Sequence, residues 1–148
     1  MSYLSVRNKI YNIINGLKET DSGADLFANV YKYDASNPEG APVVMIILGN
    51  IENESETNTE NRRTYSFTIR VEYDFKQNNI VNEEEVDEYL MGIADKIVNA
   101  MDQDYTLGGE VDYVQPTPAE PLWVTREGGQ SRAVIFTIKA FTLVDVTP

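Results

Sequence analysis

Carboxylates are the side chains of this sequence most plentiful for chemistry, and their densest grouping outside a helical pattern is Asp102, Asp104, Glu110 and Asp112. Oxygen ligands of this kind bind a hard cation such as calcium when a loop converges them. The spacing departs from an EF-hand loop: the Gly expected at the sixth position is absent, and Leu107 falls where a ligating or turn residue belongs. A solvated connection between a helix and a strand accounts for the same residues. Glu83, Glu84 and Glu85 could join another carboxylate in general acid and base work, but acidic residues in a first helical turn already have an electrostatic reason to be there. Asn53-Glu54-Ser55 fits the glycosylation sequon, a match expected by chance in a chain rich in Asn, Ser and Thr. The chain has no His and no Cys, which removes Ser-His chemistry, thiol nucleophiles, disulfides, and imidazole or thiolate ligation. The reading assigns no catalytic residue, no metal ligand and no cofactor, and it expects a protein that is not an enzyme.

What remains are residues suited to contact. Trp123 lies in the Pro-rich stretch Pro116-Thr117-Pro118-Ala119-Glu120-Pro121-Leu122-Trp123, where a lone Trp is either a core plug or an interface anchor. Arg62, Arg63, Arg126 and Arg132 flank loops at strand ends, placed either to pair with acidic loops of a neighbouring copy or to solubilise the ends. With Tyr65, these form the candidate protein-interface set: Arg62, Arg63, Tyr65, Trp123, Arg126 and Arg132.

Such residues need a scaffold, and 148 residues are enough for one domain, 1–148, with its own core. Hydrophobic residues make up 42% and aromatics 10%, enough apolar surface to offset the entropy of ordering the chain. The formal net charge of -12 repels a phosphate backbone, and only Arg62-Arg63 resembles a basic patch. No basic n-region followed by an apolar h-region opens the sequence, and no apolar run of roughly 18 residues occurs, so a soluble protein without a membrane partner is expected.

Val6, Ile10, Ile13, Ile14 and Leu17 form one apolar stripe at helical spacing, with Ser2 or Ser5 as N-cap, and predict a helix over 3–18. Leu26 to Tyr33 and Pro42 to Leu48 read as a hairpin around the Asn37-Pro38-Glu39-Gly40 turn. Val43 to Leu48 has no polar face, so it requires cover on both sides, from helices or a neighbouring subunit. Residues 49–61 hold one apolar side chain, Ile51, and read as a mobile polar loop. Tyr65, Phe67, Ile69, Val71, Tyr73 and Phe75 then alternate with polar residues, the period of a half-buried strand.

Asn82 followed by Glu85 marks the start of a second helix, and Val86, Tyr89, Leu90, Ile93, Ile97, Val98 and Met101 share one face. Leu107-Gly108-Gly109 marks the exit. Strands are expected at 110–115 and 131–144, joined by a segment whose prolines and Gly128-Gly129 suit no strand interior. The predicted architecture is a single α+β domain in the order αβββαββ, a mostly antiparallel β-sheet with two α-helices packed on one face.

The order of elements and several stretches resemble tail terminator (tail-completion or neck) proteins of tailed bacteriophages. The stretches are Ala94-Asp95-Lys96-Ile97-Val98-Asn99-Ala100-Met101, Asp104-Tyr105-Thr106-Leu107-Gly108-Gly109, Val111-Asp112-Tyr113-Val114 and Arg132-Ala133-Val134-Ile135-Phe136-Thr137-Ile138-Lys139. The resemblance implies a virion structural subunit, assembled in the host cytoplasm, that forms a homo-oligomeric ring, usually a hexamer. That ring caps the tail tube and joins it to the head-tail connector. Partners implied are further copies of the chain, the tail tube protein and connector or neck proteins. DNA would pass through the lumen without specific binding, its phosphates repelled by acidic walls. Loop 49–61 would project toward tube or connector. Two alternatives stand beside it: a small-molecule- or ion-binding α+β domain, and an enzyme relying on carboxylates, Tyr, Ser or Lys.

Overall fold

The computed structural model describes residues 2–20, 22–74, 83–126 and 129–146. The stripe at the N-terminus forms α1, Tyr3–Asn15, with Val6, Ile10 and Ile14 buried. Ser2 caps it: its hydroxyl accepts the Ser5 N–H at 3.1 Å, while the Ser5 hydroxyl accepts the Ser2 N–H at 2.9 Å. Such a cap contributes about 1 kcal/mol. The helix ends three residues before the expected Lys18, where the Gly16 N–H bonds back to the Asn12 carbonyl.

Among the described residues, two helices and six strands make one α+β domain with a mixed sheet: β1 Asn29–Tyr31, β2 Val43–Ser55, β3 Glu60–Asp74, α2 Glu83–Gln103, β4 Tyr113–Pro116, β5 Glu120–Arg126 and β6 Gly129–Asp145. The sheet runs β1-β2-β3-β6-β4, and β5 also pairs with β6. β3 and β6 form its spine, in register from Glu60↔Asp145 to Asp74↔Ser131. Phe67, Ile69, Val71, Phe136 and Ile138 point from this spine into one core with Val6, Ile10 and Ile14 of α1 and Val86, Leu90, Ile93, Ile97 and Met101 of α2. Each such large side chain contributes about 1.5–3 kcal/mol by leaving water. The alternation seen in 65–73 and the face of α2 are thus the two halves of that core. Phe75 and the Asn82 cap lie outside the described residues.

Three expectations need correction. First, 26–33 and 42–48 are not a hairpin: β1 has three residues and runs parallel to β2, Asn29 beside Val43 and Tyr31 beside Met45. A parallel neighbour requires a crossover, and residues 32–42 supply it by doubling back under the sheet. Ala35 buries itself against Val43 and Met45 there, and the crossover is held by Asn29 Nδ2 donating to the Glu39 carbonyl at 2.6 Å and the Glu39 N–H donating to the Tyr31 hydroxyl at 3.0 Å. The second cover that Val43–Met45 needs therefore comes from the chain itself.

Second, 49–61 is not a loop. β2 continues to Ser55 and β3 begins at Glu60, with Ile51↔Tyr65 and Ser55↔Asn61 in register. A polar composition suits a ladder wet on both faces as well as it suits a loop. Third, the Pro-rich segment contains β5. It lies on β6 in line with β4, the two split by residues 117–119, and an edge position tolerates Pro121 because half of its backbone faces away from the ladder. The order becomes αβββαβββ. The sheet is mostly antiparallel, as expected, and the parallel pairing of β1 with β2 makes it mixed.

Candidate protein interface

Past Gly49 the β2–β3 ladder continues as a polar extension of the sheet, an arm in which β2 is the outer strand and β6 pairs with β3 on the other side. At its base a β-bulge sits between the pairs Leu48↔Phe67 and Ile51↔Tyr65. Gly49 lies in that bulge so close to β3 that a Cβ there would stand 2.6 Å from the Ser66 carbonyl oxygen. The Tyr3 hydroxyl clasps the same point. It accepts the Gly49 N–H at 2.8 Å and lies 3.1 and 3.0 Å from the carbonyls of Gly49 and Ser66, which share its one proton. Its ring stacks on Phe67 and meets Tyr65 edge-on. Burial pushes the Tyr3 phenol above its ordinary range, and the bond to Gly49 partly offsets this. Helix α1 therefore fixes where the arm leaves the body.

Along the arm every residue from Leu48 to Thr59 is exposed, and Leu48 and Ile51 are about half exposed at 48% and 53%. Arg63 reaches across to the Asn53 side chain, Nε to Oδ1, at 3.3 Å. Arg62 lies over the Phe141 ring, 4.6 Å from its centroid, and donates to the Tyr113 hydroxyl at 3.3 Å. Tyr113 in turn stacks on Phe141. Leu143 stands exposed beside this group.

The candidate residues thus separate. Arg62 and Arg63 belong to the arm. Tyr65 is buried beneath it and is a core residue, covered by α1. Arg126 and Arg132, expected either to reach a neighbour or to solubilise strand ends, instead meet carboxylates of their own chain. Arg126 grips buried Glu72 on the sheet face away from the helices, and its Nη1 also donates to the Ser36 carbonyl at 2.9 Å. Arg70 completes the network, with Nε 3.0 Å from Glu72 and Nη2 2.5 Å from Asp34. Glu72 hydrogen bonding holds the Arg126 guanidinium proton even more firmly than usual, against a smaller opposing effect of burial. The space beside this network, about 30 Å³ in volume, is lined by Val43, Glu72, Arg126 and Ser131 and has room for a water molecule or two. No sequence signal singled out Glu72, because a Glu on the polar face of a half-buried strand reads as solvated.

Arg132 forms the second internal clamp. Its Nε is 2.7 Å from Asp87 Oδ1 on α2, and its guanidinium lies over the Trp123 ring at 4.7 Å. Hydrogen bonding to Asp87 raises its pKa further. Trp123 is neither plug nor bare anchor: it forms a half-exposed floor for Arg132.

Three of the four carboxylates around residue 107 are committed to structure, and Asp102 is exposed at the end of α2. Asp104 Oδ1 accepts the Gly108 N–H at 2.9 Å, Asp112 Oδ2 accepts the Leu143 N–H at 2.9 Å, and Glu110 accepts the Ser5 hydroxyl at 3.2 Å. Leu107, with φ 51°, is a fully buried plug of this turn. Among the described residues, no three Asp or Glu carboxylates gather into a geometry for a metal ion, and no described helix is long and apolar enough to cross a membrane. Compared with known proteins, the chain matches no protein-family model, and no curated protein is similar to it in sequence.

Proposed function

We propose that this chain is a structural virion subunit that assembles into a ring, capping the tail tube of a tailed bacteriophage and joining it to the head-tail connector. The observation that carries the reading is the arm. A strand, β2, held in register on β3, pinned at its bulge by Tyr3, yet exposed along Leu48–Thr59, is a preorganised polar surface. Preorganisation of that kind lowers the ordering cost of binding another protein. The resemblance of residues 94–101, 104–109, 111–114 and 132–139 to tail terminators supplies the assembly, and the net charge of -12 suits a conduit through which DNA must slide. Six copies is the ring size that the resemblance implies.

Absolute mass by light scattering over a concentration series, with negative-stain images of any large species, tests this. A closed ring near six copies is the expected result. A protein that stays monomeric at every concentration, also when mixed with purified tail tubes, overturns it.

A further inference from the structure

We infer that the outer edge of β2 accepts an extended segment of a different protein as an added strand, and that this segment carries Lys or Arg at alternate positions. The inference rests on the arm being a contact element, as proposed above, and adds the chemistry of its partner.

β1 pairs only with Val43–Met45, so among the described residues no strand lies beside the outer backbone of Ile46–Ser55. The direction of its groups follows from the arm's tip. The Glu56 N–H donates to the Glu60 carbonyl at 3.1 Å, so Glu56 turns its backbone toward β3. Alternation along an antiparallel ladder turns Glu54 and Glu52 the same way and directs the N–H and C=O of Ile51, Asn53 and Ser55 outward. A partner strand would find there the row of donors and acceptors that strand addition uses.

Side chains set the partner's composition. Glu52 and Glu54 stand opposite Thr64 and Arg62, whereas Ile51 and Leu48 stand opposite Tyr65 and Phe67, on the other face. Residues 49–60 carry Glu52, Glu54, Glu56 and Glu60 and no Lys or Arg, and Arg62 is engaged with Phe141 and Tyr113. An incoming strand is therefore matched by cations on the Glu52/Glu54 face and apolar residues beside Ile51 and Leu48. A second copy is the poorer occupant, because a chain of net charge -12 brings like charge to an acidic edge.

The test is fluorescence anisotropy of the full chain with a labelled, end-blocked peptide of about eight residues alternating Lys and Val, an edge-length match. Its controls are the same composition in two blocks and an alternating Glu-Val peptide. The Lys-Val peptide is expected to bind roughly ten-fold or more tighter than either control, a difference of about 1.4 kcal/mol. Asn53→Pro removes an outward N–H and leaves the backbone bonds to β3 in place, losing besides it only the exposed side-chain bond from Arg63, so it should abolish that preference with an unchanged circular dichroism spectrum. Glu52→Gln with Glu54→Gln should weaken binding by roughly five- to ten-fold. If Asn53→Pro fails to fold, amide hydrogen exchange of the unmodified chain decides: the peptide should slow exchange at Ile51, Asn53 and Ser55. Equal binding of the block peptide, no binding, or unprotected amides at those positions overturns the inference, and the glutamates are then charges that keep the edge from pairing. Ring formation without peptide binding removes the partner chemistry alone, whereas peptide binding by a permanent monomer removes the ring alone.

Discussion

The guanidinium of Arg126 and the carboxylate of Glu72 meet through two charge-assisted hydrogen bonds, Nε to Oε1 at 2.9 Å and Nη2 to Oε2 at 2.6 Å, although the residues are 54 positions apart. Glu72 is 2% exposed, and the pair joins β3 to the end of β5 and, through Ser36, to the crossover under the sheet. Removing one partner of a buried pair leaves an uncompensated charge. Glu72→Ala leaves Arg126 without a carboxylate partner and Arg70 with Asp34 alone, and is expected to cost about 3–5 kcal/mol in urea denaturation. Arg126→Ala should cost less, because Arg70 still faces Glu72.

Glycine substitutions should separate the arm's root from the helical layer. Gly49→Ala drives a Cβ into the Ser66 carbonyl at 2.6 Å and is expected to destabilise by about 1–3 kcal/mol. Gly92, on α2, has open space around a built Cβ, so Gly92→Ala should stabilise by about 0.5–1 kcal/mol. Chemical denaturation of the two variants, side by side, checks both signs.

Tyr3→Phe keeps the ring stacking and deletes the hydroxyl that holds Gly49. The expected loss is about 1 kcal/mol, with faster amide exchange confined to the arm. Equal acceleration across the whole sheet would mean that Tyr3 stabilises the body and not the arm's direction.

Alkaline pH should act through three buried or partly buried phenols. Burial raises the pKa of Tyr3, Tyr73 and Tyr89 above the ordinary 10.0, and for Tyr89 the neighbouring Glu19 adds to it. A raised folded-state pKa means that the folded chain holds its proton more tightly than the unfolded chain. This stabilisation is complete below 10.0 and is lost as pH rises through the folded values. Stability should therefore fall above that pH, with phenolate absorbance appearing late and in step with unfolding. Tyr3→Phe should reduce the steepness of that fall.

Arg132 and Trp123 provide an optical readout, because the chain has a single Trp. Arg132→Leu removes the cation over the indole and the bond to Asp87. The Trp123 emission is expected to shift while the overall fold persists, with stability lowered by about 1–3 kcal/mol. An unchanged spectrum would place Arg132 away from the ring in solution.

From the sequence alone came the α+β class, the two helices and the strand at 65–73, because each buries one face and its apolar period, 3.6 or 2, survives in the order of residues. The stripe of Val6, Ile10 and Ile14 and the face from Val86 to Met101 needed no partner to be recognised. The third strand of the C-terminal half, hidden by Pro121, and the arm, hidden by its polar composition, were not legible, since an edge or doubly wetted strand has no apolar period. The parallel direction of β1 is also a tertiary matter: turn residues at 37–40 are compatible with either a hairpin or a crossover, and burial of Ala35 against Met45 selects the crossover. Most of the candidate contact residues were decided the same way. Arg126 and Arg132 read identically to Arg62 and Arg63 in the chain, and only the fold brings Glu72 and Asp87 within hydrogen-bond reach of the first two while it sets the other two on the arm.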